Sequence, residues 1–207
     1  MAAIIDSVGI DLWLEIIAVI FGLLSVWYAK KANILVYPTG IVSVLIYVYI
    51  CMKAELYADM GINAFYFFMS VYGWIMWARK VEHTKVRPIN FSNRRDYLYS
   101  GLLFVISVFV IVFLLKYFKG DDEDYWSSYI PFIDTFTTSV FIVGMLQMAL
   151  KKVENWLFWI IGDVISVPLY FYKELYFTSL QYAVFLIIAI AGYYEWRKNA
   201  QKIVKIA

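Results

Sequence analysis

The sequence is poor in the residues on which most enzyme chemistry rests. Its 207 residues include one cysteine, Cys51, and one histidine, His83. A lone cysteine excludes an internal disulfide and a cysteine-based metal site. A lone histidine in a basic loop argues against a histidine-based catalytic site or metal cluster. No glycine-rich nucleotide-binding loop appears, so ATP-driven pumping by the chain alone finds no support and no cofactor is called for. No Lys or Arg precedes Lys30. A secretory signal peptide requires a positive first region, so the first apolar run is expected to be retained as a span. What the chain has in plenty is apolar: 63% of residues are hydrophobic and 20% aromatic, against roughly 45–50% apolar in a soluble domain. The excess must face lipid, which predicts an all-α integral membrane protein.

Seven segments have the length of a membrane span, about 20 mostly apolar residues. They cover 12–29, 33–52, 60–78, 97–118, 131–150, 154–172 and 178–196. A basic loop, 79–96, follows the third, and an acidic loop with Asp121, Asp122, Glu123 and Asp124 follows the fourth. Alternating loops place 14 of the 18 basic residues on one side, leaving Lys53, Lys116, Lys119 and Lys173 on the other. By the positive-inside rule this predicts an outer N-terminus and a cytoplasmic C-terminus.

The chain also repeats itself. Lys30-Lys31, Glu55-Leu56-Tyr57, Gly73-Trp74 and Trp77 find counterparts in Lys151-Lys152, Glu174-Leu175-Tyr176, Gly192-Tyr193 and Trp196. The offset is 121 at the lysine pairs and 119 later, which suggests two extra residues in the second helix of the first half or in its outer loop. Two three-helix units, 12–78 and 131–198, then flank a linker helix, 97–118, within one transmembrane domain, 1–207. Because the linker crosses the membrane once, the repeats are expected to run parallel. Transporters built that way bind substrate near mid-membrane, where the repeats meet.

The candidate site lies on the sixth and third spans. In KKVENWLFWIIGDVISVP, five residues share one helical arc: Asn155, Trp156, Trp159, Asp163 and Ser166. A carboxylate in a membrane-length apolar segment is costly, and so marks a functional site unless a buried cation or backbone group claims it. In the third span Asn63, Tyr66, Phe67, Ser70, Trp74 and Trp77 follow helical spacing. Trp77 and Trp196 also fit an interfacial aromatic belt, and Asn63 and Ser70 also fit bonds to a neighbouring helix. Gly40, Gly162 and Pro168 are either bending points or places of close packing. Rings, amides, hydroxyls and one carboxylate suit a small, flat, cationic or neutral heterocycle with a polar appendage. With no Lys or Arg inside the third and sixth spans, a phosphorylated ligand is disfavoured.

ENWLFWIIGDVIS in the sixth span, YGWIMW in the third and the 3+1+3 plan resemble the PnuC family of vitamin transporters over about Leu12 to Lys198. The resemblance implies a SWEET-like parallel repeat and facilitated diffusion of nicotinamide riboside across the bacterial inner membrane. It further implies trapping by a separate cytoplasmic kinase and a homotrimer in membrane lipid. A membrane enzyme, or a receptor without transport, is the remaining alternative and lacks support, since no nucleophile–base set or metal cluster appears within the spans. The family's sixth-span motif falls on Asn155, Trp156 and Trp159, and its third-span motif on Trp74 and Trp77. Some members carry Asn where this chain has Asp163 and Gln where it has Asn63, and relatives move thiamine. The substrate is therefore nicotinamide riboside or thiamine.

Overall fold

The structure is a computed structural model that describes residues 2–53, 57–79, 88–120, 123–172, 174 and 176–204. His83 and the Glu55-Leu56 and Leu175 landmarks lie outside the described residues. The described residues form eight α-helices: α1 (Ala2–Lys30), α2 (Val36–Lys53), α3 (Tyr57–Ala78), α4 (Arg94–Lys119), α5 (Glu123–Ser127), α6 (Ile130–Ala149), α7 (Asn155–Tyr172) and α8 (Tyr176–Val204). Five of them, α1, α2, α4, α6 and α8, are long and apolar enough to cross a membrane. The other two long helices, α3 and α7, span about 33 and 27 Å at 1.5 Å per residue, long enough for the hydrocarbon core or nearly so. Their mean hydropathy is lowered by the polar and aromatic residues that the sequence picks out as a site, Asn63, Ser70, Asn155 and Asp163 among them.

Helix ends follow local chemistry. Asn33, expected inside the second span, instead turns the chain before α2, its Oδ1 accepting from Leu35 N at 3.0 Å. Asn93 starts α4 with a capping box: its Oδ1 accepts from Arg95 N and Asp96 N, and Asp96 Oδ2 accepts from Asn93 N at 2.8 Å.

α1, α2 and α3 pack in sequence, as do α6, α7 and α8. The two triplets meet along α1–α8 and α3–α6, and α4 lies against α6 and α3. Structural details recur between the triplets at a spacing of 119. α1 and α6 each end in a Schellman turn around a left-handed residue, Ala32 (φ 49°) and Lys151 (φ 53°). Asn33 N donates to Tyr28 O at 3.0 Å, and Lys152 N to Gln147 O at 2.9 Å. Tyr37 meets Trp77 edge-on at 5.1 Å, and Trp156 meets Trp196 edge-on at 5.7 Å. Trp77 Nε1 donates to Met148 O at 3.2 Å, and Trp196 Nε1 to Ala29 O at 3.0 Å.

This register corrects the sequence alignment at one point. The spacing of 119 holds from the α1 and α6 turns through to the tryptophans, so two extra residues in the second helix are not needed. The lysine pairs, 121 apart, do not occupy like places: Lys30 and Lys31 precede the left-handed residue Ala32, whereas Lys151 is itself that residue. Their surroundings differ accordingly. Lys30 and Lys31 lie by Trp27, and Lys31 pairs with Glu195 at 3.5 Å. Lys151 is 2% exposed, its Nζ over the Trp77 ring at 4.3 Å. Lys152 pairs with Asp96 at 2.7 Å.

Candidate functional site

The triplets enclose a cavity of about 210 Å³ beside the Tyr37–Trp77–Trp196–Trp156 layer. Both triplets contribute to its lining, including all six of their helices. Gly22 and Ser25 come from α1, Tyr37 and Gly40 from α2, and Tyr66 and Ser70 from α3. The second triplet supplies Phe141 from α6, Trp156, Trp159 and Asp163 from α7, and Tyr182 and Phe185 from α8. Each helix crosses the site once, so side chains three or four residues apart reach it together.

Five of the eleven residues picked out on the two spans line this cavity: Trp156, Trp159, Asp163, Tyr66 and Ser70. The other six stand elsewhere, Phe67 half-buried on α3 with its ring against Phe68. Asn155 is buried at the start of α7, its Nδ2 donating to Lys152 O at 2.5 Å. Ser166 is buried outside the lining. Asn63 turns back along its own helix, Nδ2 to Asp59 O at 2.9 Å. Trp74 is 41% exposed on the outer face of α3. Four residues beyond Ser70 a helix has turned about 40° past its starting face, and about 80° past that of Tyr66, which carries the Trp74 ring off the cavity. Trp77 keeps the inward face but lies in the tryptophan layer, bonded to α6 rather than lining the cavity.

Sequence reasoning passed over the walls made by α1, α2 and α6. Phe141 is one of thirteen buried residues along the nearly uniform α6, and only its ring contacts distinguish it. It stacks on Trp159 at 5.4 Å and on Tyr182 at 6.0 Å, and Tyr182 stacks on Tyr170 at 5.0 Å. The result is a four-ring slab along the second triplet. The register of 119 would have found the small residues opposite it, since Gly22 and Gly40 correspond to Phe141 and Trp159.

The electrostatics of the cavity are one-sided. No Lys or Arg lines it. Asp163 is 2% exposed, and no side chain or backbone group among the described residues pairs with its carboxylate. Trp156 is 1% exposed and its Nε1 is without a hydrogen-bond partner. A buried donor or acceptor left unpaired costs about 1–3 kcal/mol; the Trp156 N–H is itself covered, so the polar group that the cavity offers to whatever enters is the Asp163 carboxyl. Flat aromatic faces beside a carboxylate favour a cationic ring. No group of three or more His, Cys, Asp or Glu able to hold a metal ion occurs among the described residues.

Residues 12–198 match the family model for nicotinamide mononucleotide transporters. The nicotinamide riboside transporter PnuC of Escherichia coli K12 is 29% identical, the match covering 96% of this chain and 91% of that one. The PnuC of Neisseria mucosa is 25% identical over 93% of this chain and 74% of its own length. The riboflavin/roseoflavin transporter RibM of Streptomyces davaonensis is 22% identical, with 89% and 84% covered. A crystal structure of the vitamin B3 transporter PnuC superposes with a TM-score of 0.69 at 25% identity, over 97% of this chain and 87% of that one.

Proposed function

Given that this chain belongs to the nicotinamide mononucleotide transporter family, we propose that it carries nicotinamide riboside across the bacterial inner membrane by facilitated diffusion. The unpaired carboxylate of Asp163 among stacked rings, in a cavity without Lys or Arg, carries this reading. Nicotinamide riboside is a flat pyridinium cation bearing a ribose. The rings of Trp159 and Trp156 suit its face and Asp163 its charge. The mononucleotide would add a phosphate, which no cation in the lining meets. A cavity of about 210 Å³ falls below the usual range for drug-sized ligands, about 300–1,000 Å³, and favours one ring with a pentose over a fused tricyclic vitamin.

The architecture we assign is the 3+1+3 plan: seven spans, the two triplets as parallel repeats, and α4 as the lone linker. The recurring turns and tryptophan bonds support it. The N-terminus lies outside and the C-terminus in the cytoplasm, with Lys31, Arg79, Lys152 and Arg197 at the cytoplasmic ends of their helices. Trapping by a cytoplasmic kinase would make uptake directional, and assembly is as a homotrimer in lipid. No catalytic role is assigned to any residue.

Uptake of labelled nicotinamide riboside into liposomes holding only this protein tests the reading. Saturable uptake, outcompeted by unlabelled riboside more strongly than by thiamine, is expected. Preferential competition by thiamine, also a ring cation, would transfer the same site to that vitamin, and absence of both would end the reading.

A further inference from the structure

The two triplets use one packing scheme with the sizes reversed. In the second triplet large rings of α6 and α7 sit against glycines of the partner helix. A Cβ on Gly162 of α7 would overlap the Phe141 ring, and one on Gly144 of α6 would stand 3.3 Å from Trp159. In the first triplet, 119 residues earlier, the same four places hold Gly22, Ser43, Ser25 and Gly40. A Cβ on Gly22 would stand 3.2 Å from Ser43 Oγ, and one on Gly40 2.9 Å from Ser25 Oγ. Two hydroxymethyl groups thus stand where the second triplet has two glycines, and two glycines stand where it has Phe141 and Trp159.

Both serines are held in place. Ser25 Oγ donates to Val36 O and Ser43 Oγ to Ala18 O, each at 2.8 Å. The first triplet therefore keeps its backbone spacing without aromatic rings of its own at these two places; beyond the serines, a Cβ on Gly22 would stand 3.9 Å from Gln181 Nε2 and Phe185 Cζ, and one on Gly40 3.9 Å from Ser70 Oγ. Gly22 and Gly40 both border the cavity. So does Asp163, whose unpaired, buried carboxylate marks that space as one for a ligand rather than a packing gap.

We propose that Gly22 and Gly40 are the specificity-determining positions of this transporter, with the substrate's flat ring lying against them in the place that Phe141 and Trp159 occupy in the other half. Resting on the proposed function above, the inference adds where within the cavity the ring goes. The ligand completes the internal symmetry: protein rings fill one half of the bundle, and the ligand's ring fills the corresponding part of the other.

The test transplants a pair that the protein already packs. Ser25→Gly together with Gly40→Trp reproduces Gly144 and Trp159 in the first triplet. Binding of nicotinamide riboside is measured by titration calorimetry on purified protein, beside thermal unfolding to confirm the fold. The double variant should unfold near the wild-type temperature and bind at least 100-fold more weakly. A folded double variant that binds like wild type overturns the inference. Should the double variant not fold, Gly22→Ala and Gly40→Ala decide the matter: tenfold weaker binding by either supports the assignment, and wild-type affinity in both overturns it. Wild-type protein that binds no riboside would instead overturn the proposed function, which keeps the two failures apart.

Discussion

The indole of Trp196, near the end of α8, donates to the carbonyl of Ala29 at the end of α1, 3.0 Å away, and so ties the last helix to the first. Trp77 makes the corresponding bond from α3 to Met148 of α6. The two bonds join opposite triplets at the same end of the bundle, with the two indoles 6.0 Å apart at their centres. Trp196→Phe and Trp77→Phe should each destabilise the protein by about 1–3 kcal/mol, from a lost buried hydrogen bond and a smaller ring. Since each bond crosses between triplets, their effects should be non-additive in thermal unfolding of the double variant. Strict additivity would mean that the two bonds do not act as one closure.

Asp163 faces the cavity, so its carboxyl is open to a ligand, and a cation there would favour its charged form. Asp163→Asn keeps the shape and removes the charge. Loss of one close charge pair in a poorly solvated site should weaken binding of the nicotinamide riboside cation roughly 10- to 100-fold, given the strength of such pairs at low effective dielectric. Titration calorimetry reads this directly. Unchanged affinity would place the pyridinium away from α7.

Trp159 and Trp74 make a paired test of the cavity's boundary. Trp159 stacks on Phe141 and borders the cavity, whereas Trp74 is exposed on the outer face of α3. Trp159→Ala should lower riboside uptake at least tenfold, since a stacked ring contributes about 0.5–1.5 kcal/mol beyond its area and the area itself adds more. Trp74→Ala should leave uptake within about twofold, consistent with a surface change away from structural features. The reverse order in a liposome assay would show that the third-span motif, not the sixth, holds the substrate.

The sequence made some of this legible and concealed the rest for identifiable reasons. Trp156, Trp159 and Asp163 stood out because polar and aromatic groups recur at helical spacing in an otherwise apolar run. Asn63 and Asn155 looked alike on that criterion, yet each spends its amide on a backbone carbonyl of its own neighbourhood. Spacing cannot show where an amide bonds. Trp74 lies off the cavity because each step of four residues turns a helix about 40° past its starting face and two such steps separate it from Tyr66, whereas Trp77 comes back to that face. Gly22 carried no signal of its own, and Gly40 only that of a bending point or a place of close packing. Their meaning appears only when they are set against Phe141 and Trp159 in the register of 119, and the lysine pairs at 121 obscured that register.

Gly162 and Gly101 differ in what surrounds them, and this predicts opposite outcomes for one chemical change. A Cβ on Gly162 would overlap the Phe141 ring, while one on Gly101 meets nothing within 4 Å. Gly162→Ala should destabilise by about 1–3 kcal/mol through overpacking. Gly101→Ala, in a helix interior, should be neutral or stabilise by up to about 1 kcal/mol. Thermal unfolding of the two variants side by side gives the answer, and equal shifts would show that α6 and α7 are not packed as closely as described.

Lys152 and Asp96 form a nearly buried ion pair between the α6–α7 turn and the first turn of α4, at 2.7 Å. Around it, Ser92 N and Oγ both donate to Glu154 Oε2 at 2.8 Å, and Asn90 N donates to Lys151 O at 3.1 Å. The chain entering α4 is thereby fastened to the second triplet. Asp96 also belongs to the capping box of α4, so its loss would confound two effects. Lys152→Met isolates the pair. It leaves a poorly solvated carboxylate uncompensated, which costs about 3–5 kcal/mol when the pair is buried. Double substitution with Asp96→Asn should recover much of that loss, because the amide keeps its capping geometry without the unpaired charge. Thermal unfolding of the single and double variants measures the recovery; a double variant no more stable than Lys152→Met would show that the stray charge is not what destabilises the single one.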